Sequence, residues 1–287
     1  MRAFHYHYHE PATLVEALSL LEGHGDSAHV LAGGTALVPL MRSGLVLPEH
    51  VVALERIPNL REIGIAPDGG LSIGALVTHR EIERSALVER FFAPLAETFG
   101  RVATIRIRNQ GTIGGNVIHA DPASDPPPML LALDAQAVIA SGTTMRTVPL
   151  AEFFRGFFET ALGRAEIVTT IHIPPPMRGA RGVYLKFLPG SEDDFATVSV
   201  ATVVHLEDGV CRHARIGLGA VGSTPLRARR AEAVLLGSAL SPKTIAEAAA
   251  IAKSEVEPYD DARGSANYKR RMVEVFVRRA LERLRAA

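Results

Sequence analysis

The sequence predicts an α+β protein built from two packed units, and three observations carry that expectation. Strand and helix patterns alternate up to Ile173. The run Pro174-Pro175-Pro176 then interrupts both, because proline donates no N–H to a ladder and fits no helix interior. Beyond it, three strand patterns are followed by three helical ones, the grouping of an α+β unit. A chain of 287 residues also exceeds one ordinary domain of about 100–200 residues. The division expected is 1–176 and 177–287.

Phe4 to His9 alternates aromatic and imidazole side chains as a strand would, and Pro11 opens an apolar-periodic helix through Leu14, Leu18 and Leu21 that stops at Gly23. Val30-Leu31-Ala32 is a short strand running into Gly33-Gly34-Thr35, after which Leu37, Leu40 and Met41 keep helical spacing until Gly44. Val51 to Leu54 is another strand, and Glu62–Ala66 with Leu71–Ala75 flank Pro67-Asp68-Gly69-Gly70 as a hairpin. Thr78 and Glu81 form a capping box where helices resume. A second glycine turn at 111–115 precedes a helix over Pro126–Leu133, with Asp125 as its N-cap and Pro126 at its first position. Strands Ala137–Ser141 and Ile167–Ile173 close the first unit. The second has strands Tyr184–Leu188, Thr197–Leu206 and Cys211–Leu218, then helices over Leu226–Leu236, Pro242–Glu257 and Asn267–Arg285.

Composition removes several function classes. Lys+Arg 31 against Asp+Glu 31 gives no net charge, so bulk nucleic-acid binding is not expected and any anion must be captured locally. The single cysteine, Cys211, supports neither a disulfide framework nor an iron–sulfur cluster, which takes about four thiolates. No apolar run is long enough to span a bilayer, and Met1 to Glu10 has no apolar signal region. A cytoplasmic protein without a transmembrane segment is the expectation.

Four features bear on chemistry. Gly23 to Ala28 fits a dinucleotide-binding spacing but follows a helix and precedes a strand, the reverse of the order that aims a helix N-terminus at pyrophosphate. Gly217 to Gly222 follows a strand, yet Ser223-Thr224-Pro225 delays the helix, so close backbone packing is the simpler account. The third feature is a pair, Ala32-Gly33-Gly34-Thr35 and Thr112-Ile113-Gly114-Gly115-Asn116. Successive glycine N–H groups can form an anion-binding nest, although the same residues read equally as two unrelated tight turns. The fourth is imidazole: His5, His7 and His9 share one strand face at a spacing that suits zinc, or they lie at a surface. Cys211 and His213 also share a face, without a third group to orient them as a nucleophile pair. The last helix carries Lys269, Arg270, Arg271, Arg278, Arg279, Arg283 and Arg285, either an interface or a solvated face with Met272, Val275, Phe276 and Leu281 turned inward.

At the paired glycine turns the sequence resembles the FAD-binding medium subunits of the molybdenum hydroxylases, the family of xanthine dehydrogenases and aerobic carbon monoxide dehydrogenases. The likeness runs through Leu31 to Thr35, Ile73-Gly74-Ala75, Thr78-His79, Gly111 to Asn116, His119 to Pro122, Tyr184-Leu185-Lys186, Ser191 to Ala196 and Gly219 to Pro225, in order along the chain. It implies a FAD-binding domain of the vanillyl-alcohol-oxidase/p-cresol-methylhydroxylase type, with subdomains of about 1–55 and 56–176, then a C-terminal α+β domain with a small antiparallel sheet and helices. Non-covalent FAD would have its diphosphate held by Leu31, Ala32, Gly33, Gly34, Thr35, Ala36 and Leu37 with Thr112, Ile113, Gly114, Gly115 and Asn116. By the same likeness Val102 and Ala103 flank the flavin, His119 and Asp125 reach the ribose and adenosine side, Val168 and Lys186 complete the pocket, and Phe195 either shields the ring or belongs to the core. Ala36 departs from relatives with a polar side chain there. No catalytic acid–base residue is implied, because substrate oxidation belongs to a molybdenum-binding large subunit, with iron–sulfur clusters on a small subunit, in a dimer of heterotrimers. The final acceptor would be quinone, oxygen or NAD. A stand-alone FAD-dependent NAD(P)H reductase and a non-catalytic nucleotide-binding protein are the alternatives.

Overall fold

The structure, a computed structural model, describes residues 5–175, 177–191 and 193–286. Phe4 of the first expected strand and Pro176 of the linker lie outside the described residues, as does Glu192 within the Ser191–Ala196 stretch.

The first lobe is a parallel three-stranded sheet. It comprises β1 (His7–His9), α1 (Leu14–His24), β2 (Ala28–Leu31), α2 (Leu37–Ser43) and β3 (His50–Ala53), with strand order β1-β3-β2. Parallel strands need crossovers: α1 carries the chain from β1 to β2, past the place that β3 takes between them, and α2 carries it from β2 to β3. Ala17, Leu18 and Leu21 bury the stripe of α1 that packs with Val52 and Leu54. The helix begins at Leu14 rather than Pro11, because the Thr13 hydroxyl caps it by accepting from the Glu16 N–H. It also runs past Gly23 to His24, and Gly25 at φ 53° ends it.

The second lobe contains β4 (Ile63–Ile65), β5 (Leu71–Gly74), α3 (His79–Glu83), α4 (Ala86–Gly100), α5 (Ile105–Arg108), α6 (Ile113–His119), α7 (Pro126–Ala132), β6 (Gln136–Ser141), β7 (Thr144–Pro149), α8 (Leu150–Phe153), the short pair β8 (Phe154–Gly156) and β9 (Glu159–Thr160), and β10 (Glu166–Ile173). Its antiparallel sheet runs β4-β5-β10-β6-β7. The capping box of Thr78 and Glu81 forms as the sequence indicates. β7 and the β8–β9 pair carry no sequence signal; β7 is a solvated edge without buried alternation.

The third lobe holds β11 (Arg181–Phe187), β12 (Val198–Glu207), β13 (Val210–Gly219) and β14 (Leu226–Arg227) as one antiparallel sheet in that order, covered by α9 (Arg229–Leu235), α10 (Pro242–Ser254) and α11 (Ala266–Ala286). The helix expected from Leu226 begins only at Arg229, since Leu226 and Arg227 pair with Leu218 and Gly217. The helix from Pro242 ends at Ser254, short of Glu257. Lys269 does not join the basic surface of α11: it is 1% exposed, donates to Asp261 at 2.7 Å and sits 4.5 Å from the centre of the Tyr259 ring.

This sheet presses on the second lobe. A Cβ on Gly217 would stand 2.0 Å from the Pro128 carbonyl oxygen, and one on Gly219 2.8 Å from Pro128 Cγ. These glycines therefore serve the contact of β13 with α7 and not a dinucleotide. Cys211 is fully buried, its Sγ meets the His213 carbonyl and not the imidazole, and burial pushes its thiol up, so no nucleophile arises there. Among the described residues no helix is long and apolar enough to cross a membrane.

Candidate functional site

Strand β2 delivers the chain into Ala32-Gly33-Gly34-Thr35-Ala36, and α2 leaves from it. Gly34 at φ 72° turns the backbone through the left-handed region. From Gly33 to Leu37 the five successive N–H groups donate to no acceptor among the described residues, while the carbonyls of Gly34 and Ala36 are taken by Val38 and Leu40. Residues 31–37 are all half-buried. A half-buried row of unspent donors has the chemistry an anion cradle needs, and it adds no charge to a neutral chain.

The second glycine segment meets the first but is built differently. Its residues are not a turn: they form the first turn of α6, where the Thr112 hydroxyl accepts from the Gly115 N–H. Three further donors are spent, Ile113 on the Val77 carbonyl, Gly114 on that of Ala75 and Asn116 on that of Thr112. Glycine is required at 114 because a Cβ would stand 2.6 Å from that of Ala75. What this segment offers the cleft is the bare face of Gly115, next to Ala32, and the Asn116 side chain, whose Oδ1 is buried without a partner. The two segments touch directly: a Cβ on Gly33 would fall 1.8 Å from the Gln110 carbonyl oxygen.

A second cluster lies on the far side of α6, reached through Asn116 Nδ2, which is 3.4 Å from Ser124 Oγ. Asp125 stands at the N-cap of α7 but caps nothing, because Pro126, Pro127 and Pro128 offer no N–H in the first turn; its carboxylate turns instead to Tyr184 Oη at 2.5 Å and Lys186 Nζ at 2.9 Å. Both ends of that ion pair are nearly sealed from water, at 5% and 6% side-chain exposure. Burial pushes the Asp125 carboxyl up while Lys186 and Tyr184 draw it down. Lys186 also donates to the Arg101 carbonyl, next to Val102 and Ala103. Ala103 sits at φ 37°, a strained value for a residue with a side chain, and Arg108 holds the loop by donating to the carbonyls of Val102 and Ala103.

The remaining expected residues divide. His119 ends α6, half-buried against Phe158, and burial lowers its pKa. Val168 is 1% exposed in the core of the second lobe, so only its main chain is free to line a cleft. Phe195 is not core: it is 46% exposed, with the Arg263 guanidinium 5.5 Å from its ring centre. His5 and His7 stay exposed, whereas His9 turns toward His24 and His50.

Gln110 and Arg108 support the site without any signal in the sequence, and His79 enters the family likeness there without a role. His79 is 2% exposed beneath Gly111 with Nδ1 unpartnered, and burial followed by the Arg108 charge lowers its pKa to about 4.

A cradle of main-chain donors faced by side-chain-free glycine fits a diphosphate-bearing cofactor, and comparison with known proteins agrees. Residues 3–176 match the family described as FAD binding domain in molybdopterin dehydrogenase, and residues 183–284 match the CO dehydrogenase flavoprotein C-terminal domain. The chain belongs to the FAD-binding medium subunits of the molybdenum hydroxylase family. It is 36% identical to the carbon monoxide dehydrogenase medium chain of Afipia carboxidovorans over 98% of this chain and 97% of that one. Carbon monoxide dehydrogenase from Hydrogenophaga pseudoflava, solved without the Mo-pyranopterin moiety of its molybdenum cofactor, superposes with a TM-score of 0.95 at 36% identity over 98% of each chain. Quinoline 2-oxidoreductase from Pseudomonas putida 86 does so with a TM-score of 0.92 at 31% identity, covering 99% of this chain and 98% of that one. As a medium subunit this chain is the flavoprotein component of an oxidoreductase.

Proposed function

We propose that this chain is the electron-transfer subunit of a molybdenum-containing dehydrogenase, taking electrons from iron–sulfur clusters on a partner subunit and passing them to an external acceptor. The carrying observation is the row of unspent N–H groups from Gly33 to Leu37 set against Gly115 and Asn116. That row would take the FAD diphosphate through main-chain donors, with Leu31, Ala32 and the α6 segment as the opposite wall. Bound FAD supplies two-electron redox chemistry that can also proceed by single electrons.

The chain's own residues bind, place and shield. Arg108 fixes the strained Val102–Ala103 loop, and the Asp125–Lys186 pair ties that loop to α7 and β11. Together they would hold the flavin end, with Phe195 over one ring face. No titratable side chain here needs to exchange a proton with substrate. With Cys211 its only thiol, and buried, this chain depends on a partner for clusters. The small iron–sulfur subunit and the molybdenum-binding large subunit are the partners this reading requires. The relatives named above differ in the substrate their names carry, in keeping with substrate choice lying on another chain.

The test is to purify the chain, record its visible spectrum, release and identify the chromophore, and then add NADH anaerobically. A flavin spectrum from FAD that the reduced iron–sulfur subunit bleaches is the expected result. Bleaching by NADH together with no transfer from the reduced iron–sulfur subunit would make the chain a stand-alone reductase, and a folded chain that stays colourless in excess FAD would refute the site.

A further inference from the structure

Outside the cofactor cleft the molecule gathers imidazoles in one place. His9 closes β1, His24 closes α1 and His50 opens β3, and tertiary structure alone brings these three ends together. His9 Nε2 lies 3.0 Å from His50 Nδ1. The His24 and His50 rings stack with centres 3.6 Å apart, His9 lies 5.5 Å from His24, and His7 flanks His50 at 5.1 Å. One ring nitrogen from each of His9, His24 and His50 falls within 4.8 Å of the other two. All three residues are half-buried.

We infer that His9, His24 and His50 form a site for a divalent transition-metal cation, zinc by first preference. Tetrahedral Zn–N bonds of about 2.0–2.1 Å set nitrogens about 3.3 Å apart, and because the three rings lie within 28° of parallel, His24 and His50 must unstack and swing on their side-chain torsions for the in-plane lone pairs to converge on one cation. An all-imidazole donor set without carboxylate or thiolate selects zinc, copper or nickel over magnesium or calcium. Metal binding replaces the His9–His50 hydrogen bond, and a water completes the fourth position.

The consequence lies in the first lobe. β3 is the centre of its parallel sheet, paired with β1 on one side and β2 on the other, and β2 feeds the Gly33–Leu37 cradle. A cation bound by β1, α1 and β3 ties the N-terminal strand and the crossover helix to the sheet that presents the cradle.

The experiment titrates Co²⁺ into the full chain, following its visible ligand-field bands, then displaces it with Zn²⁺, and records X-ray absorption of the Zn-loaded protein. One equivalent bound at micromolar metal, three imidazoles in the absorption fit and a raised thermal midpoint are expected. His24→Gln and His50→Gln should each remove the saturable step, and the double variant His5→Gln/His7→Gln should keep it. Oxygen-only coordination, or the absence of a saturable step in the unaltered chain, would overturn the site. So would binding that survives His24→Gln and vanishes with His5→Gln/His7→Gln, because the metal would then sit adventitiously on the exposed strand.

Discussion

Replacing Gly33 by alanine tests whether the two glycine segments truly share one cleft. The added Cβ would lie 1.8 Å from the Gln110 carbonyl oxygen and 2.7 Å from its carbon, both main-chain atoms that cannot rotate away. Ordinary contact is about 3.5 Å, so the first cradle and the α5–α6 connection must part by about 1.7 Å. Overpacking of that kind costs about 1–3 kcal/mol, a fall in thermal midpoint of about 2–5 °C for a chain of this size. The cofactor loses more. If displacement breaks two charge-assisted bonds to the diphosphate at about 1.5–3 kcal/mol each, FAD affinity falls by about 100-fold or more. Gly23→Ala is the control, because a Cβ there meets nothing within 4 Å. The assay is FAD titration by flavin fluorescence, alongside thermal unfolding with and without FAD. Wild-type FAD affinity and an unchanged midpoint for Gly33→Ala would refute the convergence of the two segments.

Other substitutions separate the remaining contributions. Gly34→Asp and Gly34→Asn impose the same left-handed backbone at φ 72°, but only Asp brings a charge to the cradle. A carboxylate about 5 Å from a phosphate at an effective dielectric of about 20 costs about 3 kcal/mol, so FAD should bind Asp about 150-fold more weakly than Asn; equal affinities would remove the phosphate from this turn. Lys186→Met leaves the Asp125 carboxylate sealed without its cation and should cost about 3–5 kcal/mol in urea unfolding. Adding Asp125→Asn should recover part of that loss, whereas additive losses would show that the pair is not coupled. His79 contributes an acid limb. Its folded pKa of about 4 lies below the unfolded value, so the unfolded chain takes up the proton first and stability falls as pH drops from about 6.5 to 4. The total is about 3 kcal/mol, and His79→Leu should flatten that part of the pH–stability curve.

Local chemistry made much of this protein legible. Gly33-Gly34-Thr35 between a strand and a helix marked the proposed cradle, and the Thr78–Glu81 capping box formed as its spacing requires. Periodicity located the main strands of the first two lobes, and the run of prolines sits between β10 and β11, which belong to different sheets. Such features depend on neighbours in sequence, so sequence displays them.

What the fold alone decided depends on partners far along the chain. Gly111 to Gly115 reads as a loose turn by composition, yet Ala75 and Val77 claim its donors and hold it as a helix, leaving the first cradle as the one with free N–H groups. Asp125 has the position of a helix cap, but Pro126, Pro127 and Pro128 leave no N–H in the first turn of α7 to cap, and the carboxylate turns to the buried Lys186 ammonium far along the chain. Lys269 looks like surface charge until Asp261 and Tyr259 close over it. His9 alternates with His5 and His7 in sequence, and only the parallel pairing of β1 with β3, which sets His7 opposite His50 and His9 opposite Val52, brings the His9 ring diagonally to His50. In each case the balance between desolvation and a distant partner fixed the outcome, and that balance exists only once the chain has folded.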